Sequence, residues 1–398
     1  MSPAGERAAF GADRPAPEPR NHVGAAPGRL RAGWMCVFVW AILARPVSAV
    51  ESMQAEKIDG FLRSAGLEAG HIPGAAVLVT RNGEMVFERL SGVADLKSLR
   101  KIDAHTNFRL ASLTKQFTAM AIMLLVHDGK LSYDKSLTDI FPDFPGYGRA
   151  ITVRQLLNHT SGLEDYEDLM SRPDPSLPLE ETQIHDLGVL GLLKRQTSTK
   201  FPPGSKWAYS NSGYVVLGLM VEKVSGESFP DFLERRVFSP LAMTSTVAYV
   251  RGKNQVSDRA YGHSLEGGTW KETDQSPTSA TLGDGGVYSS IADLAKWDRA
   301  LAQNTLLGRD EMQAALTPVR VPGVAGPDGE AAQYGFGWFL NPYRGHARMW
   351  HYGETVGFRT AIERFTPDGL TIMILSNRAD LDPSSLARRI ADLYLNIP

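Results

Sequence analysis

The sequence predicts an α/β (α+β) fold in which an antiparallel sheet is flanked by helices and carries an inserted all-helical lobe. Three observations support this. A strand–turn–strand pattern lies near the start of the chain, and a second group of strand-like segments lies near its end. The region between them, about residues 116–284, has mostly helical periodicity. Because the strands must pair across this insertion, we expect two lobes that meet at a cleft, where active sites are common.

The first strand pair runs from Ala75 to Leu90. Two apolar runs flank the tetrapeptide Arg81-Asn-Gly-Glu84. Asn-Gly between apolar runs is a strong signal for a tight hairpin turn, because both residues tolerate the left-handed backbone conformation that such a turn requires. We therefore predict a β-hairpin here.

The second strand group closes the chain. Its predicted strands are Met349–His351, Phe358–Arg364 and Leu370–Ser376, with a turn at Thr366-Pro-Asp-Gly369 and an amphipathic helix from Leu386 to Leu395. Within the inserted region, the stretch from Glu164 to Asp186 is acidic and proline-rich. It is interpreted either as a lid over the cleft or as a solvated loop.

The composition excludes several classes of function. The chain has 398 residues, and 42 Lys and Arg nearly balance 44 Asp and Glu, so a nucleic-acid partner is not expected. Cys36 is the only cysteine, which excludes a disulfide framework and a cysteine-ligated zinc site. We expect no cofactor, and the oligomeric state stays open.

The N-terminal region, residues 1–49, has the pattern of a disordered leader followed by a secretory signal peptide. An apolar run, Gly33 to Ala44, follows Arg29 and Arg31, and small residues precede a cleavage point after Ala49. The run is too short to span a membrane. We therefore predict an exported protein, periplasmic or secreted, with a single domain over 50–398 and no transmembrane anchor in the mature chain. Translation could start at Met1 or Met35.

The first chemical signal is Ser112-Leu-Thr-Lys115. Ser112 follows a strand-like segment, Phe108-Arg-Leu, and leads into an apolar segment, Lys115–His127, that predicts a buried helix. A lysine three residues after a serine emerges on the same face of the first turn. Burial and the positive end of the helix dipole both disfavour the charged amine, so the pKa of Lys115 should fall. A neutral amine beside a hydroxyl can activate it as a nucleophile.

Two other segments match the same spacing. Ser98-Leu-Arg-Lys101 lies in a polar run, and Ser132-Tyr-Asp-Lys135 lies in a polar turn after Gly129. Neither precedes a buried helix, so a surface lysine beside a helix cap is the better interpretation for both.

The second signal is Tyr209-Ser-Asn211, in a loop that runs into the apolar helix Val215–Val224. A loop tyrosine near a lysine can carry a proton to a leaving group, and an asparagine amide can hold a substrate carbonyl. A packed tyrosine and a helix-capping asparagine are the structural alternatives. Tyr394-Leu-Asn396 has the same spacing but lies on the predicted terminal helix, where a structural role is expected.

The third signal is His351-Tyr-Gly353, at the end of a predicted strand and followed by Glu354. Glycine would allow a substrate backbone to lie along the strand edge, and the N–H groups after it could form an oxyanion hole with the N–H of Ser112. A structural histidine is the alternative. His346 and His351 are five residues apart and would face opposite sides of a strand, so no metal site is proposed.

Taken in order, these segments resemble the serine beta-lactamase and penicillin-binding protein family, closest to the branch with class C beta-lactamases, D-alanyl-D-alanine carboxypeptidases, D-aminopeptidases and family VIII esterases. Further similar segments are Leu157-Asn-His-Thr-Ser-Gly-Leu163, Pro203–Asn211, Gly285-Gly-Val-Tyr-Ser-Ser290 and Tyr334-Gly-Phe-Gly-Trp338. The resemblance covers about Ile58 to Leu395. It implies a beta-lactamase/transpeptidase-like fold and an acyl-enzyme on the serine that water resolves.

The resemblance also implies the roles of the site residues. Ser112 is the nucleophile, Lys115 activates it and Tyr209 acts as general base and acid. The substrate-binding residues are Asn211, His351, Gly353 and Glu354, with oxyanion donors in the backbone N–H groups of Ser112 and Glu354. The implied substrate is a small ester, amide or peptide.

The chain departs from the family at the K-T-G position. His351 replaces the lysine, Tyr352 replaces a small hydroxyl residue, and Glu354 follows the glycine. If the Glu354 side chain faces the pocket, it would repel carboxylates, which favours esterase or peptidase action over a true beta-lactamase. A non-catalytic module that binds peptidoglycan or a protein partner is the alternative function. An α/β-hydrolase lacks support, because no serine is flanked by a G-x-S-x-G elbow.

Overall fold

The structure is a computed structural model that describes residues 49–67, 70–171, 174, 176–323, 325–395 and 397. The leader and signal peptide predicted for residues 1–49, with Cys36, lie outside the described residues up to position 48. In the part of the chain that is described, no helix combines the length and apolar character needed to cross a bilayer.

The strands are β1 (Ala75–Arg81), β2 (Glu84–Ser91), β3 (Phe108–Arg109), β4 (Val247–Ala248), β5 (His263–Glu266), β6 (Thr269–Glu272), β7 (Val287–Ser289), β8 (Met349–Thr355), β9 (Phe358–Phe365) and β10 (Leu370–Ser376). The main sheet is antiparallel with the order β2–β1–β10–β9–β8, and smaller sheets have the orders β3–β7–β4 and β5–β6. The N-terminal hairpin thus pairs with the last strand, as the sequence predicts.

The helices are α1 (Ala49–Ser64), α2 (Lys115–His127), α3 (Leu137–Ile140), α4 (Val153–Leu157), α5 (Tyr166–Leu169), α6 (Leu179–Thr182), α7 (Asp186–Lys194), α8 (Asn211–Ser225), α9 (Phe229–Leu233), α10 (Ile291–Gln303), α11 (Arg309–Met312) and α12 (Pro383–Tyr394). Short 3₁₀ turns lie at Ala111–Thr114, Gly146–Ala150 and Thr366–Asp368, and a π-helical turn lies at Glu234–Phe238.

The local signals of the sequence explain these elements. Asn82 and Gly83 both have positive φ, 53° and 80°, as the tight turn between β1 and β2 requires. The terminal helix α12 begins at Pro383, three residues before its predicted start, because proline fits the first helical position and Asp382 caps it. The inserted region is mostly helical, but it also contains β4, β5 and β6, which the periodicity did not predict.

The sheet is buried on both faces. Val77 and Val79 of β1 pack towards α1 and α12, in one apolar cluster. Ala76 and Leu78 point the other way, into the larger core that contains α2 and α8. In this second core the 3₁₀ turn Ala111–Thr114, which leads into α2, packs against β8.

Candidate active site

Ser112 lies on a tight turn between β3 and α2. The 3₁₀ turn Ala111–Thr114 leads directly into α2, which begins at Lys115. Ala111 has φ 49°, in the left-handed region that an alanine seldom adopts. Strain of this kind is common beside functional side chains, and here it directly precedes the half-buried Ser112.

Lys115 is fully buried and its amine is surrounded by oxygen atoms. Nζ donates to Ser112 Oγ, to Asn211 Oδ1 and to the backbone carbonyl of Asp284, each at 2.9 Å. These three contacts match the three N–H groups of an ammonium. When the amine is neutral it keeps two N–H donors and presents a lone pair, so it can accept the Ser112 proton without moving.

The burial of Lys115 lowers its pKa to about 8, because the charged form loses its hydration. The carboxylates of Asp284, Asp165 and Glu167 oppose this by favouring the ammonium. The direction of the shift is the one predicted from the sequence, and desolvation is its cause. With this pKa, roughly a tenth of the amine is neutral at pH 7 and about half at pH 8.

The Tyr209 ring packs against the Lys115 amine. Lys115 Nζ lies 4.9 Å from the centre of the Tyr209 ring. Burial raises the pKa of the Tyr209 phenol well above its usual value, while a hydrogen-bonding interaction with Ser112 lowers it. The phenol is therefore protonated at neutral pH, and it can pass a proton along but does not act as a stable phenolate base.

Asn211 is the first residue of α8. Its backbone N–H donates to Asp165 Oδ2 at 2.7 Å, its Oδ1 accepts from Lys115, and its Nδ2 donates to Glu167 Oε1 at 3.2 Å. Because a lysine ammonium can only donate and a carboxylate can only accept, these contacts fix which way the Asn211 amide points.

Gly353 brings β8 against the turn that carries Ser112. A Cβ at this position would lie 2.2 Å from the Leu110 carbonyl oxygen and 2.3 Å from Thr360 Oγ1. The Thr360 hydroxyl donates to that same Leu110 oxygen at 2.9 Å. Only glycine allows this approach, so the residue is needed for contact within the protein itself, a reason that differs from the substrate contact expected from the sequence.

His351 lies behind the site and not on its surface. Its side chain is fully buried, with Nδ1 2.6 Å from the Tyr352 carbonyl and Nε2 3.0 Å from the Tyr334 hydroxyl. A carbonyl can only accept, so Nδ1 carries the proton and Nε2 accepts from Tyr334. Burial, assisted by the nearby Lys115, lowers the pKa of His351 to about 3, so the ring is neutral. Its ring centre lies 6.3 Å from that of Tyr209, so the geometry favours a supporting role, and the contact with substrate expected from the sequence stays a prediction.

Glu354 faces away from the serine turn. Side chains alternate along β8, so Glu354 lies on the face opposite to Gly353, which touches that turn. Its side chain is 60% exposed and its carboxylate pairs with Arg359 at 2.8 Å. The condition for repelling anionic substrates, a side chain that faces the pocket, is therefore not met. What Glu354 can offer the site is its backbone N–H.

Several residues near the site were not singled out as functional from the sequence. His159 contacts the Tyr209 ring at 4.4 Å between centres, and its Nδ1 accepts from the Ser210 N–H at 3.2 Å. Tyr166 donates to Asp284 Oδ2 at 3.1 Å, behind the carbonyl that holds Lys115. His159 lies in one of the segments that carried the family resemblance, which was the available signal. Asp165 and Glu167 belong to the acidic stretch interpreted as a lid or a loop, and nothing local marks them.

The described residues contain no group of three or more His, Cys, Asp or Glu side chains arranged to hold a metal ion. The chemistry available to this arrangement is proton transfer and nucleophilic attack by its own side chains. A hydroxyl, an amine that can be neutral, a protonated phenol and an oriented amide converge within one buried network.

Comparison with known proteins gives a consistent result. The family model described as Beta-lactamase matches residues 56–395. Among curated proteins, Penicillin-binding protein 4* of Bacillus subtilis is 33% identical over 318 residues, which is 76% of this chain and 68% of that protein.

Solved structures share the fold. The penicillin-binding protein from Bacillus halodurans has 27% identity and a TM-score of 0.70, covering 84% of this chain and 98% of that one. The D-amino acid amidase from Ochrobactrum anthropi, solved with L-phenylalanine amide, has 26% identity and a TM-score of 0.70, covering 88% of this chain and 98% of that one. The matched region, residues 56–395, thus includes the N-terminal strands β1 and β2, the inserted helices and the C-terminal strands β8 to β10.

Proposed function

This chain belongs to the beta-lactamase family, and from that premise we propose that it is a serine hydrolase that forms an acyl-enzyme on Ser112. The observation that carries the proposal is the placement of the buried Lys115 amine, 2.9 Å from the Ser112 hydroxyl and held by two further oxygen atoms. Its substrate would be an ester, an amide or a D-amino-acid peptide bond.

The first step is acylation. The neutral Lys115 amine accepts the proton as Ser112 Oγ attacks the substrate carbonyl carbon, and the carbonyl oxygen becomes an oxyanion. The new ammonium is stabilised where it forms, because Asn211 Oδ1 and the Asp284 carbonyl already accept its N–H groups. The carboxylates of Asp284, Asp165 and Glu167 favour the same charge.

The oxyanion requires N–H donors near the serine. The Ser112 N–H lies in the first turn of its 3₁₀ segment and so lacks an intrahelical acceptor. In the β8–β9 hairpin, a two-residue turn joins the paired residues Thr355 and Phe358. In an antiparallel pair, hydrogen-bonded and non-hydrogen-bonded positions alternate, so the preceding residue, Glu354, directs its N–H away from β9 and towards the free edge of β8. These two donors are the proposed oxyanion hole.

Collapse of the tetrahedral intermediate needs a proton for the leaving group. Tyr209 can supply it, because the raised pKa keeps its phenol protonated while it contacts Ser112 and Lys115. Lys115 then returns a proton to Tyr209. In deacylation, water attacks the carbonyl carbon of the Ser112 ester. Lys115 and Tyr209 accept the proton of the water and return one to Ser112 Oγ as it leaves, which releases the acid and restores the serine.

The uncharged His351 favours esters and amides over beta-lactams. The family's K-T-G lysine, which would attract a carboxylate, is replaced by an imidazole whose pKa of about 3 leaves it neutral. On the opposite side, Asp165 and Glu167 place acidic groups beside Asn211. Neutral substrates and amides with a free amine suit this environment, and the likeness to a D-amino acid amidase supports the same choice.

We also propose that the protein acts outside the cytoplasm, because residues 1–49 carry the signal-peptide pattern. Fractionation of cells that express the full chain tests this. Recovery of the protein with an intact N-terminus in the cytoplasmic fraction would contradict it.

The central test compares wild type with Ser112→Ala on three substrates in one buffer: a short-chain p-nitrophenyl ester, a D-phenylalanine p-nitroanilide and a chromogenic cephalosporin. Ser132→Ala is the matched control, since Ser132 belongs to the exposed segment with the same spacing. We expect ester or amide turnover that disappears only in Ser112→Ala and exceeds cephalosporin turnover. No Ser112-dependent turnover of any substrate would contradict the proposal and favour a binding module.

A further inference from the structure

A second cavity lies on the same face of the sheet as the candidate active site, at the other end of β8. It has a volume of about 970 Å³ and lies between the end of α10, α11 and the strands β8, β9 and β10. Met349 lines it, four residues before Gly353, which corresponds to about 13 Å along a strand. Ser112, Lys115 and Tyr209 do not line it. Its size is within the range of small-molecule sites.

The floor of the cavity is a row of side chains across neighbouring strands. Met349 is paired with Arg364, Arg364 with Thr371, and Thr371 lies opposite Thr80. The last two residues donate their hydroxyls to Asp298 of α10. Arg364, Thr371 and Thr80 are polar, although the sheet face around them is apolar. Burying polar side chains is costly unless each of them has a hydrogen-bond partner.

Arg364 has a nitrogen without a strong partner. Its Nε donates to Asp298 Oδ1 at 2.6 Å and its Nη2 to the Asp298 carbonyl at 3.2 Å. Its Nη1 contacts only Met349 Sδ, at 3.6 Å, and a thioether is a weak acceptor. The residue is 4% exposed and lines the cavity. A buried guanidinium with an unused donor favours an anionic acceptor.

Three further arginines line the cavity, and one of them, Arg348, is already paired with Glu363 and Asp328. Arg299 and Arg309 line it and are exposed, and within the described part of the chain neither has an ion pair or a hydrogen bond. Asp298 is the acidic residue that lines the cavity, and its carboxylate is already shared with Arg364 and the two threonines. The site therefore carries an excess of positive charge.

Part of the remaining wall is polar, with Gln303, Asn304 and Gln313, and part of it is formed by apolar side chains. These apolar side chains include Leu301, Met312, Leu316, Leu340 and Phe365. An aliphatic chain can bury its surface against such side chains, and the affinity should rise with each methylene group that is buried. We propose that this cavity binds an amphipathic anion, with a carboxylate or phosphate monoester head that takes a hydrogen bond from Arg364 and attraction from Arg299 and Arg309, and an aliphatic chain along the apolar walls.

Calorimetric titration of the full chain tests this, with dodecanoate and dodecyl phosphate as the anions, each below its micelle concentration. Dodecanol and dodecyltrimethylammonium have the same chain with a neutral or a positive head. We expect saturable 1:1 binding of an anion, at least tenfold tighter than either control. The better of the two anions distinguishes a fatty-acid source from a lipid-phosphate source. The affinity should fall as salt is added, because exposed arginines are screened.

Two sets of variants locate the site. The double variant Arg299→Gln, Arg309→Gln should weaken binding about tenfold, as expected for the loss of charge-assisted contacts. Arg149→Gln, an exposed arginine that does not line the cavity, is the matched control and should bind as wild type does. Leu316→Trp adds volume to an apolar part of the wall without changing the charge. It should also weaken binding, because it fills space that the aliphatic chain would occupy.

Binding to Ser112→Ala separates this proposal from the proposed hydrolase function. We expect unchanged affinity, since the serine lies outside the cavity. Equal affinity for dodecanoate and dodecanol, absence of saturable binding of both anions, or loss of binding in Ser112→Ala with retention in the double arginine variant would each overturn the second site.

Discussion

Gly353 lies so close to Leu110 that a methyl group on its Cα would come within 2.2 Å of the Leu110 carbonyl oxygen. Leu110 precedes the strained residue Ala111 and the proposed nucleophile Ser112, so this contact sets the separation between the serine turn and the strand that should hold substrate.

The first prediction concerns this contact. Gly353→Ala should push β8 away from the turn, costing about 1–3 kcal/mol of unfolding free energy. A displacement of about 1 Å should reduce kcat/KM about a hundredfold, because the proposed oxyanion donors, the N–H groups of Ser112 and Glu354, would separate. Gly146→Ala is the control, since a Cβ there meets nothing within 4 Å. Denaturant titration and ester kinetics measure both effects, and equal behaviour of the two variants would contradict the steric argument.

The second prediction is the pH dependence of acylation. Because the neutral Lys115 is the proposed base and its pKa is about 8, kcat/KM for a neutral ester should rise about tenfold for each pH unit below 8 and level off above it. Lys115→Met should abolish acylation, while Lys135→Met, in the exposed segment of the same spacing, should leave it intact. A profile that is flat between pH 6 and 9 would contradict the role of Lys115.

The third prediction is a pH dependence of stability from the same residue. The pKa of Lys115 is 10.5 in an unfolded chain and about 8 in the fold, so the unfolded state binds more protons between these values. Stability should therefore rise with pH through this window, and the buried amine costs on the order of 3 kcal/mol below pH 8. Lys115→Met removes the titrating group. The difference in unfolding free energy between wild type and this variant should shift in favour of wild type as pH rises from 8 to 10. A constant difference would mean that the amine keeps an ordinary pKa.

The fourth prediction concerns Tyr209. Tyr209→Phe retains the ring beside Lys115 but removes the proton carrier, so turnover should fall by about 10²–10⁴ with little change in stability. The loss should be smaller for a p-nitrophenyl ester than for an amide, because p-nitrophenolate leaves without a proton. Equal losses on the two substrates would argue for a role of Tyr209 in positioning Ser112 instead.

The fifth prediction reverses the expectation that the sequence suggested for Glu354. Since its carboxylate pairs with Arg359 on the opposite face of β8, Glu354→Ser should change turnover of a cephalosporin and of a neutral ester by the same factor. A selective gain on the cephalosporin would show that the carboxylate reaches the cleft. Glu330→Ser, an exposed acidic residue on another segment, serves as the control for net charge.

Several predictions that rested on local patterns were confirmed by the structure. Asn82 and Gly83 form the tight turn, β8 to β10 follow the predicted strands, and the spacing of Ser112 and Lys115 brings their side chains to hydrogen-bond distance. Each of these features depends on residues a few positions apart, whose periodicity and turn chemistry are visible in the sequence.

Features that depend on distant parts of the chain could not be predicted in this way. The carbonyl of Asp284 reaches Lys115 across 169 residues, and only the packing of the inserted helices on the sheet brings them together. The orientation of the Glu354 side chain is another example. Strand alternation predicts that Gly353 and Glu354 lie on opposite faces of β8, but it does not predict which face packs against the serine turn. His351 was judged by its place in a motif, whereas its burial depends on Tyr334, which a separate segment supplies.

The pairing of β1 with β10 has a consequence for how this protein folds. Ala75 lies opposite Ser376, so the centre of the main sheet joins residues about 300 positions apart. Closing a loop of this length precedes any stabilisation from the pairing, which makes folding slow. During synthesis the β1–β2 hairpin emerges early, and the edge of β1 stays unpaired until β10 has been synthesised. That edge can bind other chains. A ribosome-bound intermediate that ends before residue 370 should therefore be prone to aggregate, because it lacks β10, the strand that joins the β1–β2 hairpin to β9 and β8.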